Sequence, residues 1–148
     1  MSHAFSNLNV PTAPYLENQA GGIMVCGINW GGEPSSVAEE PSFFSDATVG
    51  DDRFRNRLLS WFELWGYPLA TERGHEGAFE RSIVRTNWLR DQQRSMRGKE
   101  IVAACIAGKD NFFRHLRALR PRVVFFCGST LIHTLNDTRC KNETIECL

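Results

Sequence analysis

The chain has no net charge, no paired-cysteine spacing and no long apolar run, and each absence removes a class of protein. Seventeen Lys and Arg residues offset seventeen Asp and Glu residues. No global field therefore steers the chain to nucleic acid, and any such affinity has to come from local clustering. The five cysteines, Cys26, Cys105, Cys127, Cys140 and Cys147, are odd in number and contain no C-x-x-C pair. They are too scattered for a four-cysteine iron–sulfur site, and a reduced, intracellular protein is the simplest reading. Cys26 and Cys127 lie inside apolar runs and read as small core residues. No apolar run approaches the roughly 20 residues that a spanning helix needs. The first residues are polar and proline-punctuated, without a charged start followed by an apolar stretch. The expectation is a cytoplasmic protein with no membrane partner, no metal and no cofactor. Tyrosine is also scarce, at two residues against ten Phe and four Trp. Those rings are usable for a core or for stacking on bases.

What is present is the pattern of an α/β domain. Residues 22–32 read Gly-Ile-Met-Val-Cys-Gly-Ile-Asn-Trp-Gly-Gly. An apolar run bounded by turn residues is a buried strand of the parallel-sheet kind, and Asn29 sits at the tip of its glycine-rich turn. Ligands of open parallel sheets bind at the carboxyl ends of the strands, so Asn29 is placed where such folds do their chemistry. A plain turn after a core strand is the other reading. Residues 1–20 read as an arm or loop, and 31–50 as a long connection containing the pair Phe43-Phe44. Asp51-Asp52 open a helix whose buried face is Phe54, Leu58, Trp61, Phe62 and Trp65, ended by Gly66 and Pro68. Residues 71–80 read as a loop, and 82–88 as a second strand ending in Asn87. Residues 89–108 form a weak helix interrupted at Gly98 and Gly108. Residues 110–119 form a helix with an apolar stripe of Phe112, Phe113, Leu116 and Leu119; Arg114, His115, Arg117 and Arg120 lie off it, and His115 is expected to be exposed. A third strand covers 123–127, Gly128-Ser129-Thr130 turns into a last helix at 131–135, and 136–148 is a polar tail. Strands alternating with helices imply a three-layer α/β sandwich with a short, mainly parallel sheet, its domain spanning 21–135.

The turn Gly27-Ile28-Asn29-Trp30-Gly31 resembles the first motif of the uracil-DNA glycosylase superfamily, in its mismatch-specific and single-strand-selective branches. Three later features agree with that family's order. Phe43 falls where the family places an aromatic that stacks on a flipped base. Asn87 falls where it places an Asn that reads the base edge. Leu119-Arg120-Pro121-Arg122-Val123-Val124-Phe125-Phe126-Cys127-Gly128 looks like its third core strand. The resemblance covers roughly residues 20–135. Trp30 stands where the family has Pro, which alters the pocket lip. The family's fourth strand and its His-Pro-Ser-type motif are not visible, and none of His3, His75, His115 and His133 matches that motif's position. A shortened form of the domain with an exposed sheet edge is therefore expected, prone to self-association through that edge.

The resemblance implies a DNA glycosylase acting in base excision on uracil or another modified or mismatched base, in single- or double-stranded DNA. Asn29 would position the attacking water, Phe43 or Phe44 would stack on the base beside Trp30, and Asn87 would hydrogen-bond its edge. The backbone amides of Gly31, Gly32, Ser129 and Thr130 would be phosphate donors. Each position keeps a second reading. Phe43 and Phe44 also serve as core caps, Asn87 as a strand-end turn residue, and Ser129-Thr130 as a helix cap. The basic run of Arg85, Arg90, Arg94, Arg97 and Lys99 reads as a solvated face or as a DNA-backbone contact. Two rival functions stay open: an inactive or truncated DNA-binding module of the same fold, and an unrelated nucleotide-binding domain with its phosphate cradle at residues 128–130.

Overall fold

The computed structural model describes residues 21–28, 53–72, 74–90 and 99–147. Three strands lie at its centre: β1 (Ile23–Gly27), β2 (Ile83–Asn87) and β3 (Val123–Phe126). They run parallel in the order β2-β1-β3. The helices are α1 (Arg53–Leu64), α2 (Ala78–Arg81), α3 (Lys99–Ala107), α4 (Lys109–Leu119), α5 (Thr130–Leu135) and α6 (Thr138–Cys147). The result is the three-layer α/β sandwich that the alternation of elements implies. No helix among the described residues is long and apolar enough to cross a membrane.

Side chains alternate across each strand, so every strand feeds two cores. Ile23, Val25, Ile83 and Phe125 point to one face and pack with Leu58, Phe62 and Phe79 of α1 and α2. Met24, Cys26, Val84, Val124 and Phe126 point to the other and pack with Cys105, Phe112, Phe113, Leu116, Leu131 and Cys140, drawn from α3 to α6. On this second face Trp88 lies flat on Phe112, 4.3 Å between ring centroids.

Local signals explain most of the boundaries. Gly66, at a φ of +84°, ends the turn after α1, and Tyr67 N–H donates back to the Phe62 carbonyl at 2.8 Å. Arg120 takes the left-handed conformation that stops α4, one residue before Pro121. Four expectations need correction. Residues 78–80, at the end of the stretch read as loop, belong to the single turn α2; Glu80 on it is buried and accepts from Ala70 N–H at 2.8 Å. Residues 138–147, read as tail, form α6. That helix is polar because it is held by charge: Glu143 accepts from Lys109, and from Arg117 at 2.7 Å, both on α4. His115, read as exposed, is fully buried, because α4 has the sheet on one side and α3 and α6 on others. Trp61 and Trp65, read as core, stay 39% and 45% exposed, because the α1 stripe is wider than the sheet beneath it.

Candidate functional site at the carboxyl edge of the sheet

The central strand β1 leads toward α1 on one face, whereas β2 and β3 on either side of it lead to helices on the opposite face. Loops that part in this way open a crevice at the end of the strand between them, the usual ligand site of such sheets. By that rule the expected ligand position is the carboxyl end of β1, at Gly27-Ile28, and Asn29 is the next residue in the chain.

The walls of this edge are fixed by the backbone. Trp88 N–H donates to the Gly27 carbonyl and Leu89 N–H to the Ile28 carbonyl, both at 2.8 Å, so β1 and β2 stay joined past their formal ends. On the other side Cys127 N–H donates to the Cys26 carbonyl at 2.8 Å. Gly128 then turns at a φ of +152°, with Ile28 packed so closely that an added Cβ would lie 3.0 Å from its Cδ1. Two requirements thus meet at Gly128, a backbone angle that suits glycine and an absence of room.

Asn87 is buried and pairs in register with Gly27. A Cβ on residue 27 would overlap the Asn87 Oδ1, so the glycine leaves the space that the Asn87 amide fills. The two residues lie side by side on the α1 side of the sheet, and Gly27 is two positions before Asn29 in the chain. A glycine that makes room for a polar side chain at the end of a core strand is not what packing alone would select, since an apolar pair would fill the same volume without burying an amide.

The end of β2 is held from below by residues that carry no signal in the sequence. The Asn111 amide on α4 donates to the carbonyls of Asn87 and Trp88, at 3.0 and 3.1 Å. Arg114 in turn donates to Asn111 Oδ1 at 2.8 Å, and His115 Nδ1 lies 2.6 Å from the Asn111 carbonyl. The Trp88 indole N–H donates to the Cys105 carbonyl at 2.7 Å. Asn111 is therefore a positioning residue, acting on Asn87 through its backbone. On the far side of β2 the same edge opens into a groove of about 470 Å³ lined by Leu89, Arg90, Ala104, Gly108, Asp110 and Asn111.

Of the residues singled out in the sequence, Asn29, Trp30, Gly31, Gly32, Phe43 and Phe44 lie outside the described residues, as do Arg94 and Arg97 of the basic run. Ser129 is exposed and Thr130 half-buried at the start of α5, where Leu131 and Ile132 N–H already bond to the Gly128 and Ser129 carbonyls at 3.1 Å. Ser129 makes no side-chain cap bond.

Thiol chemistry does not suit this edge. Burial pushes the Cys26 thiol well above its ordinary value and raises Cys127 in the same direction. Both are protonated near neutrality, and a protonated thiol is a poor nucleophile. Among the described residues no group of three or more His, Cys, Asp or Glu side chains is arranged to hold a metal ion. What the described residues place at this edge is a neutral amide, Asn87, beside Gly27 at the paired ends of β1 and β2. Comparison of the chain with protein-family models, with curated proteins and with solved structures finds no match.

Proposed function

We propose that the chain is a DNA glycosylase-like protein that takes an extruded uracil, or another modified or mismatched base, into the crevice at the carboxyl edge of β1. The observation that carries this reading is the Gly27–Asn87 pair. It sets a buried amide on the seam between the central strand and its neighbour, at the strand end that Asn29 follows in the chain. An amide has one donor and one acceptor group, the pattern needed to tell one pyrimidine edge from another. In this reading Asn87 reads the base, and Phe43 or Phe44 stacks on it. Stacking of one base on an aromatic ring contributes about 1–3 kcal/mol.

Asn29 orients a water molecule toward C1′ of the sugar. The water oxygen forms a bond to C1′, the C1′–N bond breaks, and its electron pair leaves with the base. The proton lost by the water goes to solvent or to the departing base. An amide cannot take that proton itself, so the work of Asn29 is orientation, and the reaction is slower than one run by a carboxylate base. A base inside a duplex has to leave its stack first.

The test is abasic-site formation on end-labelled oligonucleotides, single-stranded and duplex, carrying uracil or another modified base. Asn29→Ala is expected to lower the rate by about 100-fold or more, with Asn87→Ala altering the preference among bases. No abasic site on any substrate, with DNA binding retained, would replace the enzyme by a binding module of the same fold. Neither cleavage nor binding would remove the DNA reading altogether.

A further inference from the structure

The two outer strands of the sheet are treated differently. All of β2 is buried except the half-buried Arg85. β3 is half-buried along three residues and exposed at Val123, which keeps 45% of its surface. β3 pairs only with β1 among the described residues, and no described strand lies along its other edge. At four residues it is a short edge, directly preceded by Pro121 and Arg122. Its sequence, Val-Val-Phe-Phe followed by Cys127, contains no charge and no proline.

The same margin carries an uncovered apolar face. On the α1 side, Phe125 stacks on Trp65 at 5.3 Å between centroids, and Trp65 stacks on Trp61 at 6.3 Å. Leu64, on the same stretch of α1, is 81% exposed. An exposed apolar patch of this kind, beside an unpaired strand edge, marks an interaction surface.

We propose that a second copy of this chain covers this margin, through antiparallel pairing of β3 with β3 across a twofold axis perpendicular to the sheet. The strand is its own complement. Such an axis keeps each face of the sheet on its own side, so opposed residues must share a face. Centred on Phe125, the register sets Phe125 opposite Phe125, Val124 opposite Phe126, and Val123 opposite Cys127. The first is an aromatic pair and the second an aromatic–β-branched pair, both favourable across strands, and no like charges meet. The two stacks of Trp61, Trp65 and Phe125 then adjoin at the axis. A net charge of zero leaves no long-range repulsion between copies. The joined sheet has six strands in the order β2-β1-β3-β3-β1-β2. Its antiparallel halves put the two carboxyl edges at opposite ends, so both crevices stay open. The contact is isologous and closes at two copies.

Sedimentation of the full chain between about 1 and 100 µM tests this. The expected result is a concentration-dependent shift from 16.8 kDa to twice that mass, with a blue shift of tryptophan fluorescence as Trp61 and Trp65 lose water. Val123→Lys, at an exposed position, is expected to weaken association at least tenfold with an unchanged circular dichroism spectrum. For the register, Val123→Cys is oxidised with oxidised glutathione. Two thiols give one disulfide as the glutathione is reduced to two thiols. The expected product is a covalent dimer linked between position 123 of one copy and Cys127 of the other. A 16.8 kDa species over the whole range, or a dimer that Val123→Lys leaves intact, would overturn the proposal. A dimer that forms no such link would overturn the pairing.

Discussion

On the face covered by α3 to α6, Trp88, Phe112 and Phe113 are all but removed from water; Trp88 stacks on Phe112, which meets Phe113 edge-on and Phe126 at a tilt. On the face covered by α1 and the single turn of α2, Leu58 and Phe62 are just as buried, but Trp61, Leu64, Trp65 and Tyr67 are not. The side chains are equally apolar on the two sides. Among the described residues what differs is the number of neighbours: four helices share one side of a sheet three strands wide, and one long helix overhangs the other. Burial here is decided by the width of the layers rather than by the hydrophobicity of the helix. The overhang at β3 is where an added strand would extend the sheet, and the crevice at Gly27 lies at the end of the strands, away from that margin.

The largest expected effect sharpens the contrast. Phe112→Ala removes a ring with no solvent on any side and is expected to cost about 3–5 kcal/mol. Trp61→Ala, an equally drastic truncation on the overhanging side, removes a ring that is 39% exposed and stacks on Trp65, and is expected to cost only about 1–2 kcal/mol. Urea unfolding at low protein concentration, where copies do not associate, measures both. Equal losses would mean that the two faces are alike after all.

Smaller effects are expected where the thick face supports the site. Asn111→Ala leaves the Asn87 and Trp88 carbonyls without their donor and is expected to cost about 1–3 kcal/mol. Gly27→Ala drives a methyl group into the Asn87 amide, with a similar cost of about 1–3 kcal/mol. Both are expected to disturb base preference as well as the denaturant midpoint. A core change that touches neither residue, such as Leu119→Ala with a cost of about 2–5 kcal/mol, should move stability alone. If all three variants lose activity in proportion to stability, Asn87 has no special place in recognition.

The smallest effect is on alkaline stability and also belongs to the thick face. Burial pushes the Cys105 thiol up from 9.0 to about 11, and it raises Cys26 beside it in the same core. The folded protein therefore holds these protons more tightly than the unfolded chain does. The resulting stability is complete below the ordinary thiol range near 9 and is lost as pH rises through about 11. Denaturant midpoints are expected to fall between those values, and Cys105→Ala should flatten the fall. A midpoint that declines equally in both proteins would assign the alkaline loss to other groups.

The elements were legible to the extent that they carried a period of their own. β1 and β3 announce themselves as short apolar runs, and α4 by its stripe of Phe112, Phe113, Leu116 and Leu119. α6 has no such stripe; it is held by the Glu143 pairs with Lys109 and Arg117 and buries Cys140 alone, so it could not be seen before α4 was placed. α2 is one turn long, too short for any period to show. At the site, the strand-end position of Asn87 was readable, but the reason for Gly27 was not. That reason is a side chain sixty residues away in sequence that becomes its neighbour only through strand pairing. Asn111 was invisible for the same reason: nothing local to α4 predicts that its amide reaches the end of β2.

By itself the sequence determined the order of the three strands and of the helices between them that carry an apolar stripe, the parallel sheet and the amides near the strand ends, because these depend on periodicity and turn chemistry within a few residues. Only the tertiary structure decided which apolar residues are buried, that His115 is inside and Trp61 outside, and that Gly27 and Asn87 share one space. Those outcomes depend on how many layers cover a given face and on which strands lie side by side, and no stretch of chain shorter than the whole domain contains that information.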